Sequence, residues 1–305
     1  MMEKLYIDAV RLLLESAPAI FQTPRFAMKG GTAINLFVQK MPRLSVDIDV
    51  VYTDHTTPRE SAIQAISDGL NNTKILLAKS GVDAELAATG KGEETKLFIQ
   101  RGKVRVKVEV NFIFRGTVLP VQTQKLTADA RKMFTIDLSV PVLAPAELYG
   151  SKLVAAMDRQ HPRDIFDVLG LFETAGLTPE IVECFVCYLA GHNRPVHEVL
   201  FSNDLDLATA FENEFVGMCQ DPVSLADLQK VRAKLKKQLP EALTDQHRQF
   251  LIGLVNGEPN WELMKCHHLQ YLPAIQWKLQ NLCKLKKTNP AKFANQAEEI
   301  RKRLA

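Results

Sequence analysis

Lys29-Gly30-Gly31-Thr32 is followed, after a short spacer, by Arg43-Leu44-Ser45-Val46-Asp47-Ile48-Asp49-Val50. The glycine pair makes a turn that opens a helix, and the helix leads to a strand with two acids two residues apart. Strand side chains alternate between faces, so Asp47 and Asp49 share one face while Val46, Ile48 and Val50 share the other. A sheet with an apolar back and paired carboxylates in front suits a divalent metal. Mg²⁺ takes oxygen ligands and is held by one or two carboxylates plus substrate phosphates. The turn ahead of the helix offers backbone N–H groups to such phosphates. Each half of the pattern is commonplace alone: Gly-Gly marks turns, and Asp-x-Asp on an edge strand is usually a solvated face. Their order and spacing together imply metal-dependent nucleotidyl transfer.

A third carboxylate is expected on a neighbouring strand. Residues Val104 to Phe114 read VRVKVEVNFIF. Val104, Val106, Val108, Val110, Phe112 and Phe114 make an apolar face, opposite Arg105, Lys107, Glu109 and Asn111. Glu109 is either a solvent-facing acid between Lys107 and Asn111 or the third member of a cluster with Asp47 and Asp49. Three carboxylates so close repel unless a cation joins them.

Further along, Pro145 suits the first turn of a helix and Glu147 its positive N-terminus. Lys152, Ala156 and Arg159 then share one helical face. His161-Pro162 breaks the helix, and a second begins near Arg163-Asp164, with Asp167 one turn on. This is either an ordinary ion-paired surface or a set of phosphate ligands.

Lys-Gly-Gly-Thr followed by Arg-x-Ser-x-Asp-x-Asp resembles the AbiEii/AbiGii toxin family, within the DNA polymerase beta-like nucleotidyltransferase superfamily. The resemblance continues through Lys152 in Glu147–Leu153 and through Arg163-Asp164-Ile165-Phe166-Asp167. Trp261 and the stretch Leu272 to Lys278 extend it more loosely. It is clear over about residues 25–170. The third acid is Glu here where the family often has Asp, and either can ligate metal.

The resemblance implies a toxin of a bacterial toxin–antitoxin or abortive-infection (phage-defence) pair. It would transfer NMP from an NTP to an acceptor hydroxyl, with the tRNA 3′ end or another RNA as acceptor. Asp47, Asp49 and Glu109 would hold two Mg²⁺ ions, or Mn²⁺ in their place. Gly30, Gly31 and Thr32 would seat the β and γ phosphates, helped by Lys152 and by Lys29 or Arg43. Asp167 would orient Lys152 or the acceptor, and Asp164 is the weaker candidate for that role. Ser45 is either a small polar residue before a strand or a hydroxyl on the aspartate face. In the second case it contacts phosphate or is phosphorylated, which would place about two negative charges beside the carboxylates. A cognate antitoxin is the implied partner, in contact with this chain or not. Two alternatives stay open: the same fold acting on a protein or small molecule, and a non-catalytic binding module.

A chain of 305 residues holds one large or two ordinary domains. No apolar run is long enough to span a membrane. The first eighteen residues, MMEKLYIDAVRLLLESAP, carry acids within an apolar period and read as an amphipathic helix rather than a leader. Five scattered cysteines indicate a reducing compartment, the cytoplasm. Cys184 and Cys187 lie in an apolar stretch with no second pair at zinc spacing, so they read as core, and Cys266-His267-His268 reads as packing.

Charge is segregated. Residues 1–160 net +4, residues 161–224 net −9, and residues 225–305 net +8. The basic clusters are Lys230 to Lys237, Lys284 to Lys287 and Arg301 to Arg303. They either neutralise RNA phosphates or solvate helix faces. The expected architecture is α/β: a mixed-sheet nucleotidyltransferase domain over 1–172, then a mostly helical domain over 173–305. Expected strands lie at 25–28, 45–53, 86–89, 96–101 and 104–114, with edge strands at 118–121 and 135–138.

Overall fold

The structure, a computed structural model, describes residues 2–88, 94–111 and 113–304. The polar turn Gly90-Lys91-Gly92-Glu93, Thr89 and Phe112 lie outside the described residues. The strands are β1 (Phe26–Lys29), β2 (Asp47–Tyr52), β3 (Asp83–Ala88), β4 (Glu94–Arg101), β5 (Val104–Asn111), β6 (Gln122–Lys125) and β7 (Ser139–Val142). They form a mixed sheet in the order β3-β4-β5-β2-β1-β7-β6. β2 runs between antiparallel β1 and parallel β5. The expected α/β class is therefore observed, with the Asp-x-Asp strand at the centre.

Alternation sorts the side chains as the sequence implies. Ile48 and Val50 of β2 and Val106, Val108 and Val110 of β5 are buried. Asp47, Asp49, Lys107 and Glu109 are half-buried on the other side of the pleat. Helices α1 (Lys4–Ile20) and α3 (Arg59–Lys79) cover the apolar back, α1 against β5 and α3 against β3 and β4. The buried residues of α1, among them Val10, Leu13, Leu14 and Ala17, are its amphipathic stripe.

β5 stops at Asn111, earlier than its apolar pattern. The Asn111 side-chain oxygen accepts hydrogen bonds from the N–H groups of Ile113 and Phe114 (2.9 and 3.0 Å), an Asx turn that ends the strand. Both expected edge strands lie about four residues further on, at β6 and β7. Residues 118–121 do not pair, because the buried Glu147 carboxylate accepts the N–H groups of Val118 and Leu119 (2.8 and 2.9 Å). Residues 135–138 follow α4 (Ala128–Phe134), which Thr135 ends with a left-handed φ of 55°.

From Pro145 onward the described chain has no strand. Its principal helices are α5 (Pro145–Asp158), α6 (Pro162–Glu173), α7 (Pro179–Ala190), α8 (Val196–Leu200), α9 (Ala208–Glu214), α10 (Leu225–Glu241), α11 (Asp245–Val255), α12 (Pro273–Thr288) and α13 (Pro290–Leu304). By internal contacts the chain divides into two compact units. One comprises residues 1–148 with a returning segment, 215–223; the other comprises 149–214 and 224–305. In the first unit the returning segment straps the Arg43 region: Leu44 donates to the Met218 carbonyl, and Gln220 to the Pro42 carbonyl (2.9 and 3.0 Å).

Candidate active site

The glycine turn fixes the site in the first unit. Gly30 starts α2 (Gly30–Ala33, continued by a π-helical turn, Ile34–Val38) with φ +76°, a conformation open to glycine. A Cβ at Gly30 would stand 2.1 Å from the Asp49 Oδ2 atom, so the turn lies directly on that carboxylate. A Cβ at Gly31 would stand 2.6 Å from an Arg43 Nη atom and 3.1 Å from the Ser45 hydroxyl. Gly30, Gly31, Arg43, Ser45 and Asp49 are thus brought together.

The strand register extends this group sideways. Lys29 of β1 pairs with Asp49 of β2, Asp49 with Glu109 of β5, and Glu109 with Lys96 of β4. Asp47 pairs with Lys107 one pleat away. The row across four strands therefore reads Lys29, Asp49, Glu109, Lys96: acids in the middle and bases at the ends. Glu109 is not a lone solvent-facing acid. Its two oxygens meet Lys96 at 3.0 Å and Lys107 at 2.7 Å. Burial opposes the Lys107 ammonium, but its hydrogen bond to Glu109 and the charges of Asp47, Glu109 and Asp49 outweigh this and hold its pKa above the ordinary value.

Among the described residues no three acid, histidine or cysteine side chains converge as an ion site. Glu109 is held by two lysines, and Asp47 and Asp49 present two carboxylates on one strand face. That set fits Mg²⁺, which takes one or two carboxylates and completes its shell with substrate phosphate and water.

Thr32 is turned inward. Its hydroxyl donates to the Asp47 carbonyl and is hydrogen bonded to the Ser45 hydroxyl at 3.0 Å. This ties the start of α2 to the start of β2. Ser45 precedes the strand proper, which begins at Asp47, and is 9% exposed. Arg43 is buried and donates to the Leu44 carbonyl at 2.9 Å.

The second unit carries its own charged knot. Lys152 of α5 is buried and meets Asp164 at 2.7 Å and Asp167 at 3.0 Å, both on α6 and both buried. Arg159 grips Asp164 with two nitrogens, at 2.6 and 3.1 Å. Burial would raise the Asp164 pKa, but the charges and hydrogen bonds of Lys152 and Arg159 overcome it and hold the carboxyl well below its usual range. The expected shared face of Lys152 and Arg159 is present, and what it shares is Asp164. Both acids meet Lys152, and Asp164 also takes Arg159.

A model of the AbiEii nucleotidyl transferase toxin family, of type IV toxin–antitoxin systems, matches residues 11–281. The chain belongs to that family. It is a nucleotidyltransferase toxin of a type IV system. Enzymes of the family generally use an NTP and a divalent metal, and the type IV arrangement pairs the toxin with an antitoxin. The fold is similar to that of MenT4, a nucleotidyltransferase toxin from Mycobacterium tuberculosis H37Rv. The TM-score is 0.59 at 18% identity, over 92% of this chain and 95% of that one. No curated protein matches the chain.

The two lysine partners of Glu109 lie outside the family motif. Lys96 was legible as a basic residue on a strand, but its place beside Glu109 depends on the β4–β5 register. The grip of Lys107 on Glu109 follows from spacing, since residues 107 and 109 share a strand face. Away from these sites, Cys184 and Cys187 are fully buried in α7. The Cys187 thiol is pushed up by its hydrogen bond to Cys266 and by burial. Among the described residues no helix is long and apolar enough to cross a membrane.

Proposed function

We propose that this toxin transfers a nucleoside monophosphate from an NTP to a hydroxyl of an RNA acceptor, the tRNA 3′ end in the first instance. The observation that carries the reading is the seating of the Gly30 turn on Asp49 at the centre of the Lys29, Asp49, Glu109, Lys96 row. The acceptor oxygen forms a bond to the α-phosphorus, and the bond from that phosphorus to the bridging oxygen breaks. Pyrophosphate leaves, and the hydroxyl proton passes to solvent.

Backbone N–H groups at Gly30 and Gly31 bind the β and γ phosphates, with Arg43 beside the turn and Lys29 at the end of the row adding positive charge. Thr32 and Ser45 hold the turn against β2, so the phosphate seat and the carboxylates keep one geometry. Asp47 and Asp49 are the proposed metal ligands, joined by Glu109 when Lys96 and Lys107 yield it. A bound divalent pair would supply positive charge at the entering and leaving oxygens and acidify the acceptor hydroxyl. Phosphorylation of Ser45 would place negative charge at the turn and exclude NTP.

Lys152 is proposed as a further phosphate ligand, held in one rotamer by Asp164 and Asp167. On this assignment the catalytic portion is 1–172 and the helical portion 173–305. The five free thiols suit the reducing cytoplasm as the site of action, and phage defence is the proposed biological setting. Incubation of the purified toxin with each α-labelled NTP, Mg²⁺ and total RNA tests the reading. The expected result is label at the 3′ end of small RNA. Label on protein or a small molecule would overturn the choice of acceptor, and the absence of transfer with any NTP would overturn the assignment of the site.

A further inference from the structure

From Leu263 to Ala297 the chain has no Asp or Glu, yet it carries Lys265, Lys278, Lys284, Lys286, Lys287 and Lys292. α12 occupies the middle of this run. Its inner side buries Ala274, Ile275, Lys278 and Leu282. The Lys278 ammonium donates to the carbonyls of His192 and Arg194 (2.8 and 2.6 Å), so this one lysine is spent on holding the helix.

The outer side is different. Trp277, Gln280, Lys284 and Lys287 follow one another at helical spacing, and all four are exposed. Trp277 is 51% exposed, and Tyr271, in the turn just before the helix, is 62% exposed. Large aromatic side chains are costly to leave in water, and here Trp277 lies on a basic stripe with Tyr271 exposed in the turn that leads into the same helix. Neither Lys284 nor Lys287 has an ion pair among the described residues. Lys286 points elsewhere, over the Phe293 ring at 5.5 Å.

We infer that this face of α12 docks single-stranded RNA, with Tyr271 and Trp277 stacking on bases and Lys284 and Lys287 meeting phosphates. The inference rests on the proposal that the acceptor is RNA. Lysines alone would serve any polyanion. Exposed aromatic rings beside them select one with flat faces, because stacking accepts every base.

The chain has two tryptophans, and Trp261 packs near Phe250 with ring centres 5.8 Å apart. Tryptophan fluorescence of the full chain, titrated with a twelve-nucleotide uridine RNA at several salt concentrations, tests the surface. Wild-type fluorescence should be quenched saturably. Trp277→Ala should weaken RNA binding by about tenfold, the scale of one lost base stack, while Trp277→Phe stays near wild type in a competition assay. Lys284→Ala with Lys287→Ala should lower the log–log salt slope by about 1.4, roughly 0.7 for each single-strand phosphate contact. Thermal melts and Mg²⁺–NTP binding should match wild type throughout.

If Trp277→Ala and the lysine pair bind RNA as wild type does, the surface is wrong and the RNA acceptor still stands. If wild type binds no RNA, the surface and the acceptor fall together, while NTP binding still reports on the site around Asp49. Poly-glutamate binding as tightly as RNA, with the same loss on Trp277→Ala, would show a surface for acidic protein instead.

Discussion

The two carboxylate groups of this toxin use the same side chains to opposite ends. On the sheet, Asp47, Asp49 and Glu109 are half-buried, with Lys96 at the end of the row and Lys107 one pleat away on Glu109. In the helical unit, Asp164 and Asp167 are buried with Lys152 between them, and Arg159 completes a neutral set of two acids and two bases. Water and substrate can reach the first group, so its negative charge remains available to a cation. In the second, both acids and Lys152 are buried with the exposed Arg159 over Asp164, so removal of one charge leaves another uncompensated. The acids on the sheet should therefore govern chemistry, and those in the knot should govern stability.

The largest effect should come from Asp49→Ala. Loss of a carboxylate with the proposed metal-binding role should remove several kcal/mol of transition-state stabilisation, about a thousandfold or more in rate. Stability should stay within about 1 kcal/mol of wild type, because a half-exposed acid beside other acids is relieved rather than missed. Transfer assays beside thermal melts check both halves. Retained transfer by a folded Asp49→Ala protein would break the comparison at its first term.

Next comes Lys152→Met, which leaves Asp164 and Asp167 buried side by side and should cost about 3–5 kcal/mol of stability. Asp164 adds a pH signature. Its folded pKa lies below the ordinary 3.8, so its contribution to stability is fully present above that value. The contribution is lost as pH falls through the folded pKa. Denaturant midpoints should show no loss from this group between pH 7 and about 4, then a fall in wild type as the pH is lowered further, with a flatter profile in Asp164→Asn. A Lys152→Met protein as stable as wild type would show that the knot is dispensable to the fold.

Gly30→Ala should be smaller in stability, about 1–3 kcal/mol, from the positive φ and the collision with Asp49. Displacing that carboxylate should lower transfer about a hundredfold, the scale of a 1 Å misplacement near the chemistry. Adding Asp49→Gly removes the collision, so the double variant should regain part of the stability and none of the activity. Activity in the double variant would show that the turn and the Asp49 carboxylate do not act together.

Much of this was legible in the sequence, for identifiable reasons. The Asp-x-Asp strand and the alternating Val104 to Val110 strand declare themselves because period-two patterning against an apolar back has one reading. The glycine turn declares itself because Gly30 needs φ +76°. What stayed hidden depends on register and on distant partners. Nothing local to Val118 announces that a Glu147 carboxylate will take its N–H, so an edge strand was expected there. Asn111 ends β5 through a side-chain turn that an apolar count overlooks. Lys96 meets Glu109 only because β4 pairs with β5 in that register. The Arg159 contact to Asp164 was invisible because Asp164 and Asp167 sit one helical turn apart, and only packing shows that Arg159 reaches Asp164.

The smallest effect concerns the basic stretch of α10, and it asks whether charge count or charge availability governs RNA affinity. Lys234 lies over the Phe172 ring at 4.2 Å, and Lys236 pairs with Asp204 at 2.6 Å. Lys230 pairs with Asp227 at 3.1 Å. These lysines already have partners within the helical unit. Exposed pairs of this kind contribute about 0–1 kcal/mol, so their removal should hardly move the melting temperature. Their phosphate contacts should be few, because each must first leave a partner. Lys234→Ala, Lys236→Ala and Lys237→Ala combined should lower the salt slope of RNA binding by about 0.7, the share of one contact from Lys237. That is half the fall expected for the Lys284 and Lys287 pair, although more charge is removed. A larger fall in the α10 triple variant than in the α12 pair would move the RNA path to α10. It would also show that these internal pairs open readily when phosphate is offered.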